Sequence, residues 1–273
     1  MSTPKKYLPL ISLLLALIAI GLAASLVVSY RHASELKNKI HELESQQSSQ
    51  GQSSAGAQQI AGPGVASSPA DRIIKDLSTR FIGDARSISE KLHDFLKENP
   101  DFQSLAIACK VVADMSDNQQ ALSDQELDWL YQQESKPEFK RVVAQVLSLR
   151  GDNKLLDSYV VQYQTELTSS NPEARSKALA ELAKTRYAGA AKFVIPVLDE
   201  KDPSIVQEAL LALRATGNES NIQKVKGLVN SSDESVSWLA KDTLNTLEML
   251  SKKARTRLIS ADIAAELPPI TDQ

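Results

Sequence analysis

Few residues in this 273-residue chain are of a type and spacing that could do covalent chemistry. Its histidines are His32, His41 and His93. The helical zinc motif His-Glu-x-x-His sets paired histidines one turn apart, and no such pair or other paired-histidine metal spacing occurs. The Gly-x-Ser-x-Gly elbow that presents a nucleophilic serine is also missing. His93 precedes Asp94 on an amphipathic pattern and reads as a surface residue. A single cysteine, Cys109, allows neither an intramolecular disulfide nor a cysteine metal site. It falls in an apolar stretch and reads as a buried, inert thiol. Gly83, Gly151, Gly189, Gly217 and Gly227 stand alone, which fits turns and helix ends rather than a phosphate cradle. The chain therefore reads as a non-enzyme with no catalytic, cofactor-binding or metal-binding residues.

Contact chemistry is better represented. Trp238 falls at a position where the matching residues Gln207 and Ser176 are polar. That position should face outward, where a tryptophan is a natural hot spot for a protein partner. The competing reading packs Trp238 under the chain's carboxyl-terminal segment, as the last unit of an array often needs a cover. Trp129 and Tyr131 form a second aromatic pair, for which core packing is the stronger reading. Lys252, Lys253, Arg255 and Arg257 form a basic run. It suits an acidic partner or anionic lipid, or else completes the carboxyl end of a helix, where cations are favoured. Asn218-Glu-Ser220 and Asn230-Ser-Ser232 match the glycosylation pattern, which matters only in a eukaryotic secretory pathway.

The elements that must position these residues repeat. Asn171, Asp202 and Asp233 are spaced 31 residues apart. The same step joins Ala174, Ile205 and Val236, then Ala178, Ala209 and Ala240, then Leu182, Leu213 and Leu244. It also joins Val194 to Val225, Val197 to Leu228 and Leu198 to Val229. A fixed period near 30 residues marks a solenoid whose units cannot bury their faces alone. The Asn or Asp opening each unit is a helix N-cap, and Pro172 and Pro203 follow at the first helical position. Apolar residues three, seven and eleven positions beyond the cap make one stripe. Breaks are expected near 186–189 and 217–220, with second helices running to about Asp199 and Asn230.

The segments NPEARSKALAELA, DPSIVQEALLALRATG and DESVSWLAKDTLNTL resemble the HEAT-repeat family in its short-unit form. The resemblance covers residues 171–250. It implies an all-α fold, an α-solenoid of helix pairs, and a scaffold that binds a protein partner. Arg175 fits the family's arginine position, which makes it a contact candidate, but Val206 and Ser237 replace the arginine in the next units and break the usual ladder. The family also contains bilin lyases and hydroxylases; the paired His-Glu motif of the hydroxylases is absent.

Upstream the pattern loosens. Phe139, Val143 and Leu147 repeat the stripe after Pro137 and end at Gly151-Asp152, with a second helix expected over 153–167. Ser123 and Glu126 form a capping box ahead of Leu127 and Leu130. Residues 102–115 read as a buried helix. Residues 71–82 and 87–98 read as two amphipathic helices, so the helical repeat domain is expected over 71–250 with a helix end and tail over 251–273.

Ahead of it, residues 8–28 carry no charge and are long enough to cross a hydrocarbon core. Tyr7 and Tyr30 flank them, as interfacial rings do. A cleaved signal peptide has a shorter apolar region, about 7–15 residues. Residues 1–30 are therefore read as a tail and single membrane anchor. Lys5 and Lys6 place the amino terminus in the cytoplasm and the bulk of the chain outside, which in a Gram-negative cell is the periplasm. Residues 31–46 read as a juxtamembrane helix with Leu36, Ile40 and Leu43 in a short stripe; a homodimer through it stays open. Residues 47–70 are Ser-, Gln-, Gly- and Ala-rich and read as a disordered linker reaching about 28 Å. The net charge of −3 gives no reason to expect nucleic-acid binding. Scarce aromatics and plentiful Leu and Ala suit helices. Two roles fit: a membrane-tethered scaffold binding a partner on the solenoid surface, or an accessory subunit of an envelope complex assembled through the transmembrane and stalk helices.

Overall fold

The computed structural model of the chain describes residues 68–79 and 83–271. These lie in the second of two compact units, residues 65–273. The expected span 8–28, the juxtamembrane helix and the linker as far as residue 67 fall outside the described residues. Among the described residues no helix is long and apolar enough to cross a membrane.

The described chain is helical throughout, without strands. It runs α1 (Pro69–Ser78), α2 (Ile88–Glu98), α3 (Phe102–Asp114), α4 (Asp124–Gln133), α5 (Pro137–Leu149), α6 (Lys154–Val161) and α7 (Gln164–Leu167). The regular part follows as α8 (Pro172–Lys184), α9 (Ala188–Val194), α10 (Pro203–Thr216), α11 (Ile222–Lys226) and α12 (Glu234–Glu248). A last short helix is α13 (Ser260–Ala264).

The 31-residue step is visible as geometry. Asn171 accepts from the Glu173 amide, Asp202 from Ser204 and Asp233 from Val236, so each cap satisfies a donor left free by the first turn. Pro172 and Pro203 occupy the first turn, where a missing N–H costs nothing. Ala178, Ala209 and Ala240 are buried, and so are Leu182 and Leu213. These small and aliphatic side chains let α10 pack between α8 and α12 as one layer. The second helices are shorter than expected. After α9 the chain tightens into a 3-10 turn over Ile195–Asp199, because Pro196 removes a donor from the α-helical ladder. The second unit begins its second half with a 3-10 turn at Glu219–Asn221.

Upstream, the expected capping box at Ser123 and Glu126 is formed. The first helix opens at Pro69, two residues before the expected start, because Ser68 and Asp71 make a second capping box around it. The helix expected over 153–167 divides into α6 and α7 at Gln162–Tyr163. Gly151, with φ of +104°, ends α5; the Asp152 amide donates back to the Leu147 carbonyl at 2.9 Å. One buried core joins both parts, from Leu92 and Val112 through Phe139 and Val160 to Leu213 and Val225.

Beyond α12 the chain does not end as a helix tail. It turns back and crosses the array in reverse order. Asn218 donates to the carbonyls of Lys252 and Ala254, the Ala188 amide to Arg255, and Asn153 to Thr256. Further on, Arg141 donates to the Glu266 carbonyl at 2.6 Å, and Gln103 to that of Thr271 at 2.9 Å. Leu258 and Ile263 are buried in this returning segment. Among the described residues, Arg186 (φ +53°) and Arg255 (φ +62°) are the non-glycine residues with positive φ, and both lie where the segment crosses. A left-handed residue with a Cβ costs about 1–2 kcal/mol, so the crossing is held against local strain.

Candidate partner-binding surface

The first-helix layer presents one outer face. A residue five positions beyond the cap and one nine beyond it share a face, being four apart on a helix. In the third unit the first of these is Trp238, which is 66% exposed. In the second unit the nine position is Leu211, which is 47% exposed. Arg214, one turn beyond Leu211, pairs with Asp242, one turn beyond Trp238, and so joins the two faces. An isolated exposed leucine needs no account, but an exposed tryptophan and leucine on the outer faces of neighbouring first helices are of the type protein interfaces use as anchors. Of the two readings of Trp238, the structure selects exposure; the returning segment runs elsewhere.

The other sequence-derived contact residues are not gathered at this face. Arg175 is largely buried between units, donating to the Ser169 carbonyl at 2.7 Å and facing Glu200 at 3.6 Å. Its counterpart Ser237 makes the comparable link by donating to the Val229 carbonyl at 2.6 Å, while Val206 is packed in the core. The arginine ladder is thus broken without leaving its place empty. Lys252 and Lys253 are exposed. Arg255 is half-buried and donates to the carbonyls of Arg214 and Gly217, both at 2.8 Å. Arg257 donates to the Leu149 carbonyl at 2.7 Å. The basic run does complete helix carboxyl ends, as cations should, but those of α10 and α5 rather than of its own helix. Burial lowers the Arg255 pKa, the direction expected for a cation leaving water.

Sequence reasoning missed Leu211. The available signal was an aliphatic residue outside the three-seven-eleven stripe, where Ala180 and Asp242 stand in the neighbouring units. It also missed Arg150, which holds the amino-terminal part together. Its guanidinium donates to the carbonyls of Met115, Ser116 and Leu122 and to Asp124, at 2.8–2.9 Å.

The titratable groups that depart from their ordinary values do so for structural reasons. Burial pushes the Cys109 thiol up to about 12. Burial also raises the Tyr159 hydroxyl, which lies 3.4 Å from Glu181 and 3.1 Å from the Tyr163 hydroxyl. Hydrogen bonds from Arg86 hold Asp84 well below the usual carboxylate range. Among the described residues no group of three or more His, Cys, Asp or Glu side chains is placed to hold a metal ion. His93 is half-buried rather than free at the surface, bonded to Glu134 at 2.8 Å and edge-on to Trp129. Tyr131 is buried as expected, whereas Trp129 remains 37% exposed. Asn218 is buried and its amide nitrogen is committed to the returning segment, so its sequon is closed to modification in the folded chain.

The family profile of HEAT repeats matches residues 164–245, less than a third of the chain. That interval contains α7 to α11 and most of α12, and so takes in the part whose caps and layers repeat. A crystal structure of an engineered protein aligns with 59% of this chain and 79% of its own, at 17% identity and a TM-score of 0.30. No curated protein matches the sequence significantly. HEAT repeats in general suggest a protein-binding scaffold, which agrees with an exposed apolar face on a layered array.

Proposed function

We propose that the chain is a membrane-tethered scaffold that binds a protein partner through the outer face of its first-helix layer. Residues 8–28 are the anchor and residues 47–67 the tether. The bulk of the chain stands outside the cytoplasm, as the positive charge before the apolar run favours. The exposure of Trp238 on the face that also carries Leu211 supports the binding role. A rigid aromatic with little conformational entropy to lose is the residue type that dominates protein interfaces. Lys252 and Lys253, exposed just past the same unit, add a basic margin that an acidic partner would meet.

In-cell cross-linking of the full-length chain, followed by mass spectrometry, tests this reading. Cross-links from residues 203–253 to one stoichiometric protein are expected, and Trp238→Ala should remove them while leaving the melting temperature unchanged. Cross-links confined to residues 8–46 would overturn it and favour a subunit assembled through its membrane and stalk helices.

A further inference from the structure

We propose that the edge crossed by residues 252–271 is a recognition groove for a segment of another protein, and that this tail is its internal occupant. The inference rests on the scaffold reading but names a second surface and the chemistry of what fits there.

The grip is directed at the main chain. Asn218, Asn153, Arg141 and Gln103 each donate a side-chain hydrogen bond to tail carbonyls, at 2.6–3.1 Å. Such bonds hold any segment of the right course, whatever its side chains. Charge then makes the groove selective. α10 and α5 present carbonyl-rich carboxyl ends at this edge, and the tail answers with Arg255 and Arg257. Arg186 offers a cation in return and takes the Glu266 carboxylate at 2.5 and 2.8 Å. Leu258 and Ile263 supply the buried apolar anchors.

The tail is also an imperfect occupant. Arg255, within the tail itself, adopts left-handed backbone at the crossing. The Arg141 guanidinium, only 1% exposed, leaves its Nε without a hydrogen-bond partner. A segment from elsewhere can keep the same pairings without the turn that forces Arg255 into that conformation. Its chemistry is two arginines separated by one residue, an aliphatic directly after, then a short helical turn carrying an aliphatic, with a glutamate two residues beyond that turn.

The test introduces a protease site between Ser251 and Lys252, both exposed, into the full-length chain. After cutting, a labelled synthetic peptide of residues 252–273 is titrated while helicity is followed. The cut chain should stay helical, exchange its tail and bind the peptide saturably. Glu266→Ala or Arg255→Ala in the peptide should weaken binding about tenfold, and a scrambled peptide should not bind. The uncut chain should bind the peptide at least about a hundredfold more weakly, because a tethered competitor acts at millimolar effective concentration. Loss of helicity when the cut tail is diluted away, failure to exchange, or equal binding of the scrambled peptide would each make the tail a fixed structural part and overturn the groove. Peptide exchange does not depend on Trp238, so its failure leaves the cross-linking result for the helix face standing, and the reverse also holds.

Discussion

The two parts of the helical unit reach similar burial by different means. From Asn171 to Leu247 the same few positions recur every 31 residues, and each unit meets the next through the same alanine and leucine contacts. From Pro69 to Leu167 the helices share no such step. There the irregular joints are closed by single long polar side chains. Arg150 alone ties the end of α3, the following loop and the start of α4 to α5. Arg141 and Gln145, both buried, tie α5 to the last carbonyls of α8. The difference teaches that repetition makes packing the cement, whereas irregularity shifts that task to polar side chains that satisfy loose main-chain ends.

Substitutions can break or sharpen this contrast. Core truncations should cost the same in both parts, because burial is equal. Leu213→Ala and Leu92→Ala, both fully buried, should each lower unfolding free energy by about 3 kcal/mol in chemical denaturation. A much smaller cost at Leu92 would mean that the amino-terminal part is loosely packed. Next in size, Arg150→Met should cost about 2–3 kcal/mol, since it leaves buried carbonyls unpaired. Arg214→Met in the regular part should cost less than about 1 kcal/mol, because its bridge to Asp242 is solvent-exposed. Equal costs for these two would erase the distinction. Asp202→Ala and Ser123→Ala each remove an N-cap and should cost about 1 kcal/mol, alike in both parts. The smallest effect is expected at Trp238→Ala, within about 0.5 kcal/mol, as for other surface changes. A larger loss would show that the ring supports the fold.

The same contrast explains what could be read from sequence. The caps at Asn171, Asp202 and Asp233 and the buried alanines follow local rules, and the period exposes them. The capping box at Ser123 and the end of α5 at Gly151 are local as well. The division of 153–167 into α6 and α7 was not legible, because the residues there are ordinary helix formers. Least legible was the course of the tail. Arg257 meets the Leu149 carbonyl and Gln103 meets Thr271, 108 and 168 residues apart in the chain. Bonds from side chains to main-chain oxygens leave no periodicity and no paired residue types to notice. Trp238 stands out in the sequence against Gln207 and Ser176, but its exposure depended on which side the tail took.

That course has a consequence for how the unit comes apart. A linear array loses its terminal repeats first, each fraying with little cost to its neighbours. Here Thr271 is bonded to α3, and the segment leading to it is pinned to α10, α9 and α5 on the way. The last unit therefore cannot fray without releasing contacts near the first helices. Hydrogen exchange should find α12 better protected in the intact chain than after a cut before Lys252, because its fraying first requires the tail to leave.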